Sequence, residues 1–231
     1  MYAREVGGQV LSFGVSGMLF RDGLVMYDRE TDTLWTQVDG QAIKGALAGR
    51  TLEIVPSVHA TWKQWKQLYP ESLVLRKRGM PRSAYAAYNR DRNRAGILGR
   101  RVRDTRLAAK ERIIGVRTAA AAAAFLEKDV REARVVHADV GSMPVVLIAA
   151  GPETPVVTFD RRLAGRVLSF RLAEGAPEVL EDHETGSRWS LADGRARSGP
   201  LKGAQLERAP AYPAFWFGWL GYFPGTELWK R

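Results

Sequence analysis

Residues 28–75 read DRETDTLWTQVDGQAIKGALAGRTLEIVPSVHATWKQWKQLYPESLVL, and residues 182–229 read DHETGSRWSLADGRARSGPLKGAQLERAPAYPAFWFGWLGYFPGTELW. The two stretches align without gaps at a constant offset of 154, and 17 of the 48 positions are identical. Upstream, VLSF at residues 10–13 recurs at residues 167–170. Because long self-similarity indicates one structural unit present twice, we predict two tandem copies of one repeat, related by a pseudo-twofold axis.

Each copy predicts a mainly β structure with short helices. Residues 23–28 and 33–38 are rich in strand-forming side chains. Both copies then carry an Asp-Gly pair, Asp39-Gly40 and Asp193-Gly194, which is typical of two-residue hairpin turns with positive φ at both positions. The pattern therefore favours a meander of antiparallel strands.

A tryptophan-rich helix follows each meander. In the first copy, we expect a helix that Ser57 caps and Pro70 ends, with Trp62, Trp65 and Tyr69 on one core-facing side. Its counterpart, residues 214–223, is apolar on every side, so we expect it to be buried or to lie against a partner.

The chain divides by this pattern into a first copy (residues 1–75), a basic linker (residues 76–111) and a second copy (residues 112–231). In the second copy, helix propensity favours a helix over residues 118–132, which include a run of six alanines. Two short apolar runs, at residues 145–148 and 156–159, predict buried strands.

The composition excludes several classes of protein. The 231 residues are 45 % hydrophobic and 26 % charged, as in an ordinary globular chain, and there is no cysteine for disulfides, iron–sulfur clusters or a thiol nucleophile. The N-terminal residues lack the apolar core of a signal peptide, and no apolar stretch approaches the length of a transmembrane segment.

The two copies differ in length before their shared stretch. About 70 residues of the second copy, but only 27 of the first, precede it. We therefore expect the first sheet to be incomplete, with an open strand edge near residues 11–13. A missing N-terminal segment or a partner chain would complete that sheet.

Several motifs resemble the bacterial and archaeal domain-of-unknown-function family 3179. They comprise residues 13–17 (FGVSG), 26–31 (MYDRET), 34–35 (LW), 45–49, 62–65 (WKQW), 69–70 (YP), 106–112 (RLAAKER) and 215–219 (FWFGW). The resemblance covers nearly the whole chain. It implies a duplicated, β-rich, commonly exported protein, it carries over no catalytic residue, and family members usually extend further at the N-terminus.

Two acidic pairs are candidates for catalysis. Asp28 and Glu30 in the first copy, like Asp182 and Glu184 in the second, are spaced so that a strand would present both carboxylates on one face. General acid–base chemistry needs such a pair. The alternative is structural: the aspartate caps a turn while the glutamate is solvated.

Aromatic and histidine side chains could complete a cleft with those carboxylates. Trp35 and Trp189 follow the acidic pairs by seven residues, either as the wall of a sugar-binding cleft or as core side chains. His59 is the histidine that would join the cleft. The three histidines, His59, His137 and His183, have no metal-ligand spacing, and phosphate- and dinucleotide-binding motifs are absent, so we expect no metal and no cofactor.

The net charge of +10 lies entirely in residues 76–112, which hold 13 basic and 3 acidic side chains. Arg100, Arg101, Arg103 and Arg106 are the candidates for binding a polyanion weakly through counterion release. The alternative is a solvated connector whose arginines meet acidic surfaces of the two copies.

Three functions remain open from the sequence. The first is a non-enzymatic binding or interaction module of the cell envelope, with its ligand site in a cleft between the copies. The second is a hydrolase-like enzyme, acting for instance on a glycan, that uses the paired carboxylates in that cleft. The third is an anionic-polymer binder that acts through the basic linker.

Overall fold

The computed structural model describes residues 1–55, 57, 59–75, 88, 90–96, 103–152 and 154–231. The protein is mainly β, with 42 % strand and 10 % helix. Two compact units are formed: unit 1 contains residues 1–57, 85–112 and 214–226, and unit 2 contains residues 58–84, 113–213 and 227–231. No helix among the described residues has the length and apolarity needed to span a membrane.

The elements of the first half of the chain are antiparallel strands and one helix. In order they are β1 (Glu5–Val6), β2 (Gln9–Val10), β3 (Phe13–Phe20), β4 (Gly23–Asp28), β5 (Leu34–Thr36), β6 (Ala42–Lys44) and α1 (Trp62–Leu68). Strands β1 and β2 form a small hairpin, and strands β3-β4-β5-β6 form a four-stranded sheet in that order.

The second half begins with strands and a short helix. These are β7 (Arg112–Arg117), β8 (Ala122–Leu126), α2 (Glu127–Ala133), β9 (Val135–Val140), β10 (Met143–Ile148), β11 (Val157–Asp160), β12 (Arg162–Leu163) and β13 (Arg166–Val167). Strands β9, β10 and β11 form an antiparallel sheet, in which β10 is central. The buried strands predicted within residues 145–148 and 156–159 are confirmed in β10 and β11.

The remaining elements are again short strands and one helix. They are β14 (Phe170–Ala173), β15 (Ala176–Asp182), β16 (Arg188–Ser190), β17 (Ala196–Ser198), β18 (Ala211–Phe215), α3 (Trp216–Tyr222) and β19 (Glu227–Trp229). Strands β14-β15-β16-β17 form a second four-stranded antiparallel sheet, and β18-β7-β8-β19 form a further sheet.

Each unit contains a cluster of buried hydrophobic side chains. In unit 1 the buried residues Leu11, Trp35, Ala42 and Leu52 form a small cluster. In unit 2 the second meander packs with strands β10 and β11, and its cluster contains Val146, Ile148, Val157, Phe159, Leu168, Phe170, Leu180, Trp189, Ala196 and Leu206. At the centres of the two clusters, Trp35 and Trp189 are both fully covered.

The predicted two-residue turns at the Asp-Gly pairs are wrong. The chain turns over residues 36–41, where the Gly40 amide donates to the Thr36 carbonyl, and only Gly40 of the pair has positive φ, at 69°. The Thr36 hydroxyl bonds the Asp39 carboxylate, which favours this wider turn. A two-residue turn with positive φ at both positions occurs instead at Arg21-Asp22, with φ of 51° and 63°, between β3 and β4.

The alanine run is a strand rather than the start of a helix. Ala122, Ala123 and Ala124 lie in β8, which is hydrogen-bonded between β7 and β19, and helix α2 begins only at Glu127. The Thr118 hydroxyl accepts from the amides of Ala120 and Ala121, closing a turn that competes with helix formation. Pairing on both edges thus outweighs alanine's helix propensity, which is a weak preference.

Helix α1 begins later than expected and does not bury its aromatic side. Its N-cap is Thr61, not Ser57, and Thr61 and Gln64 form a reciprocal capping box. Trp62, Trp65 and Tyr69 are all exposed, which corrects the expectation of a core-facing side. Helical periodicity identifies an apolar stripe, but it carries no information on whether another element covers it.

The expected open edge near residues 11–13 falls on β3, which is the outer strand of its sheet. Strand β14 is likewise outermost in the second meander. An outer strand at this position is therefore common to both meanders and does not by itself indicate missing residues.

Candidate functional site

Asp28 ends strand β4 and is fully buried. Its Oδ1 accepts hydrogen bonds from the backbone amide of Thr31 at 2.6 Å and from the Thr31 hydroxyl at 2.8 Å. Its Oδ2 accepts from the Trp35 indole Nε1 at 2.7 Å. The carboxylate thus closes the β4–β5 turn and fixes the tryptophan that forms the core below it.

Asp182 makes the same bonds at the end of β15. Its Oδ1 accepts from the Thr185 amide at 2.6 Å and from the Thr185 hydroxyl at 2.8 Å, and its Oδ2 accepts from Trp189 Nε1 at 2.8 Å. The side chain is 1 % exposed. Donors therefore surround this carboxylate in the same way.

The two glutamates of the acidic pairs bind backbone rather than facing a cleft with their aspartates. Glu30 Oε2 accepts from the Ser12 amide at 2.8 Å, and the Glu184 carboxylate accepts from the Ser169 amide at 3.0 Å. Both glutamates are exposed. Each one ties the turn after the second strand of its meander to the segment that leads into the first.

These contacts decide what the pairs can do chemically. Burial alone would raise the pKa of Asp28, but the bonds from Trp35 and Thr31 together outweigh it and hold that pKa below its ordinary value. The Ser12 amide, the largest influence, likewise lowers the pKa of Glu30. Both groups are ionised at neutral pH and would be poor general acids. Catalysis by the acidic pairs stays a prediction.

Trp35 and Trp189 lie in the cores of their units and are 0 % exposed. Each ring meets a phenylalanine edge to face, with centroids 5.9 Å apart for Phe13 and Trp35 and 6.1 Å apart for Phe170 and Trp189. Neither indole presents a face to solvent, so the arrangement corresponds to core packing rather than to the wall of a sugar-binding cleft.

His59 and His137 have different surroundings. His59 is exposed. His137 Nε2 accepts from the Phe170 amide at 2.9 Å, and burial, followed by the nearby charge of Arg161, lowers the pKa of His137. Within the described ranges, no group of three or more histidine, aspartate and glutamate side chains is arranged to hold a metal ion.

The predicted shared cleft draws on both units. Asp28, Glu30 and Trp35 belong to unit 1, whereas His59, Asp182, Glu184 and Trp189 belong to unit 2. A cleft formed by all of them stays a prediction.

The candidate anion-binding arginines divide into three groups. Arg100 and Arg101 lie outside the described residues, and Arg103 is exposed. Arg106 pairs with Asp104 at 2.8 Å, donates to the Thr226 carbonyl at 3.1 Å, and places its guanidinium 5.0 Å from the centre of the Trp216 ring. Arg106 is thus part of the packing around helix α3.

One feature was missed by reasoning from sequence. The exposed side chains of α1 continue into Leu73, Val74 and Leu75, which are exposed as well. Here they are called the α1 surface, defined as Trp62, Trp65, Tyr69, Leu73, Val74 and Leu75. Its signal in the sequence is the helical stripe of aromatic residues, for which the pattern predicts a core-facing side, followed by the apolar run at residues 73–75.

Comparison with known proteins identifies the family. The model of the family described as Protein of unknown function (DUF3179) matches residues 1–226 of the 231. Searches of the curated proteins and of the solved structures gave no match. Since the family model spans both meanders and both tryptophan helices, the chain belongs to the DUF3179 family.

Proposed function

We propose that the chain is a non-enzymatic binding or interaction module of the cell envelope, built from two copies of one β-rich repeat. The observation that carries this proposal is the state of the acidic pairs. Asp28 and Asp182 are buried beneath their turns, and donors from threonine and tryptophan already occupy their oxygens. A substrate would have to displace these bonds, and each such loss leaves a buried donor unsatisfied.

The contacts that recur support the duplication. Asp28 with Thr31 and Trp35 matches Asp182 with Thr185 and Trp189. Outside these turns, the bond from the Arg29 amide to the Ser12 carbonyl corresponds to that from the His183 amide to the Ser169 carbonyl. The bond from Ala3 to Glu53 corresponds to that from Asp160 to Glu207.

The two small hairpins, β1–β2 and β12–β13, also have similar turns. Strands β1 and β2 are joined by Gly7 and Gly8, and β12 and β13 by Ala164 and Gly165, all four with positive φ. Duplicated turns of this kind explain why both copies keep the Asp–Thr–Trp pattern without a catalytic reason. The placement in the cell envelope rests on the resemblance to a commonly exported family.

The test is to incubate the full chain with a preparation of cell-envelope material and to measure two quantities, the protein retained and the reducing ends released. We expect retention without release, and the same retention for the double variant Glu30→Gln, Glu184→Gln. This variant keeps a carbonyl oxygen that accepts from Ser12 and Ser169, so it should fold.

Release of reducing ends that the double variant abolishes, with an unchanged unfolding transition, would establish the hydrolase instead. Absence of retention by the envelope material would overturn the binding role. Retention that is lost together with the basic charge, by substitution of Arg100, Arg101 and Arg103 with serine, would favour the anionic-polymer binder.

A further inference from the structure

The α1 surface groups six exposed aromatic and aliphatic side chains within residues 62–75. Trp62 is 47 % exposed, Trp65 is 39 % exposed and Leu73 is 98 % exposed. Single exposed apolar side chains are ordinary, but several exposed aromatic and aliphatic residues within one short segment are typical of an interaction site. In helix α3 the corresponding tryptophans are covered, so their contacts indicate what can cover this surface.

Helix α3 and the turn after it have the same internal geometry as helix α1 and its turn. Trp65 Nε1 donates to the Ser72 hydroxyl at 2.8 Å, and Trp219 Nε1 donates to the Thr226 hydroxyl at 2.8 Å. The ring that follows packs on the same tryptophan in both, with centroid distances of 4.5 Å for Tyr69 and 4.3 Å for Phe223. The two segments are therefore one local structure.

The surroundings of the two helices differ. Trp216 and Trp219 are 0 % exposed. The amides of Trp216 and Phe217 donate to the carbonyls of Glu111 and Ala109, both at 2.9 Å, so the segment before β7 lies directly against the start of α3. With the Arg106 guanidinium over the Trp216 ring, this segment covers the aromatic side that α1 leaves open.

The residues beyond each helix show the same contrast. After α3, strand β19 pairs in parallel with β8, placing Glu227, Leu228 and Trp229 beside Ala123, Ala124 and Phe125. At the offset of 154, these positions correspond to Leu73, Val74 and Leu75. In the described part of the chain, residues 73–75 belong to no strand. Their apolar side chains are typical of a buried strand, yet all three residues are exposed.

We propose that the α1 surface binds an extended segment of a partner polypeptide that pairs in parallel with residues 73–75 and covers Trp62 and Trp65. The segment has the chemistry of residues 104–126: small apolar side chains in a strand, preceded by an arginine. This inference rests on the proposed binding function and names its partner class. Addition of a strand with pockets for alternate side chains is a common mode of peptide recognition.

The occupant is a different protein rather than a second copy of this chain. The strands with the required pattern, β7 and β8, are already paired with β18 and β19. A second copy would bring the same strands, paired in the same way, and would have to break its own sheet to dock. A separate polypeptide pays no such penalty.

The experiment uses the full chain and a fluorescein-labelled synthetic peptide with the sequence of residues 104–126, followed by fluorescence anisotropy. We expect saturable binding by the wild type. The variant Leu73→Lys, Leu75→Lys should weaken it at least about tenfold, because charged side chains would lie in the apolar contact. Both positions are almost fully exposed, so the fold should tolerate the change.

The matched control is Val167→Lys, an exposed valine of unit 2 outside the α1 surface, which should leave binding unchanged. Binding that is equal in the double variant and the wild type would overturn the proposal, as would absence of binding. Self-association of the chain that the double variant abolishes would identify a second copy as the occupant, against the proposal. Envelope retention without peptide binding would leave the proposed function standing and this surface excluded from it.

Discussion

At the scale of single residues, the buried aspartate beneath each turn is the feature that most constrains the account. Removing a carboxylate from water is costly unless hydrogen bonds compensate for the lost solvation. Asp28 is compensated by the Thr31 amide and hydroxyl and by the Trp35 indole. This one carboxylate accepts the donors of the turn and also orients a core tryptophan. Its removal should therefore lower the free energy of unfolding.

The substitutions Asp28→Asn and Asp182→Asn test this directly. An asparagine that keeps its oxygen on the threonine must turn its amide toward the indole N–H, so that two donors face each other. We expect each variant to lose about 1–3 kcal/mol of unfolding free energy, measured by urea denaturation. Asp32→Asn, at an exposed position of the same turn with φ of 53°, is the control and should be near neutral.

Acid should destabilise the protein through Asp28. Because its pKa is lower in the folded chain than in the unfolded chain, its stabilisation is present above the ordinary value, about 3.9, and is lost as the pH falls through the lowered value. A series of thermal unfolding curves from neutral to acidic pH should therefore show a smaller acid-induced drop in Tm for Asp28→Asn. An identical drop in variant and wild type would assign the acid sensitivity to other groups.

At the scale of elements, the two tryptophan helices share the contacts at their C-terminal ends but lie in different surroundings. Trp65 and Trp219 each donate their indole N–H to a hydroxyl in the turn after the helix, yet Trp219 is fully buried and Trp65 is exposed. The contribution of a side chain to stability depends on how much of its surface is buried, not on the sequence motif that contains it.

Alanine substitutions at the matched positions should therefore differ in how much unfolding free energy they remove. Trp219→Ala should cost about 3–5 kcal/mol, the usual range for a buried aromatic side chain. Trp65→Ala should cost under about 1.5 kcal/mol, mainly through the loss of one hydrogen bond to Ser72. Equal losses in urea unfolding of the two variants would mean that α1 is covered in solution and would remove the basis for the α1 surface.

The elements also show how far sequence patterns reach. The β-rich class, the strands within residues 145–148 and 156–159, and the burial of Trp216 and Trp219 follow from local pattern. The strand at Ala122–Leu126 does not, because it depends on pairing with β7 and with β19, which lies about 100 residues later. The exposure of Trp62 and Trp65 depends in the same way on partners that a local pattern does not encode.

The candidate site was predictable only in part, for a related reason. Spacing alone places Asp28 and Glu30 on one face of a strand, which is the expectation for a catalytic pair. In the structure, Asp28 ends its strand, and the chain turns before Glu30, so the two carboxylates bond different amides. A difference of one or two residues in where the strand ends therefore decides whether the two carboxylates share one face or bind different amides of a turn.

At the scale of the whole molecule, the charge distribution gives a separate prediction. The net charge of +10 lies within residues 76–112. Some of these groups are engaged nearby: Arg92 pairs with Glu111 at 2.5 Å, and the Lys110 ammonium lies 3.3 Å from the centre of the Tyr88 ring. Any polyanion affinity should come from the remaining arginines.

Such affinity should fall log-linearly with salt concentration and show little sequence preference. Titration of a fluorescent single-stranded oligonucleotide should give a shallower salt slope after substitution of Arg100, Arg101 and Arg103 with serine. Arg106→Ser should instead lower stability, because that guanidinium packs on Trp216 and bonds the Thr226 carbonyl. An unchanged slope in the triple variant would show that the charge acts elsewhere, and no binding at low salt would end the hypothesis.

The indole N–H signals of the seven tryptophans in a ¹H–¹⁵N spectrum of the full chain report most directly whether the α1 surface binds a polypeptide segment. The spectrum is recorded with and without the peptide of residues 104–126. We expect the signals of Trp62 and Trp65 to shift while those of Trp35, Trp189, Trp216 and Trp219 stay in place. Unmoved Trp62 and Trp65 signals would contradict the proposal, because the peptide would then not bind the α1 surface. Shifts confined to Trp216, Trp219 and Trp229 would contradict it as well, because the peptide would then replace the chain's own strand.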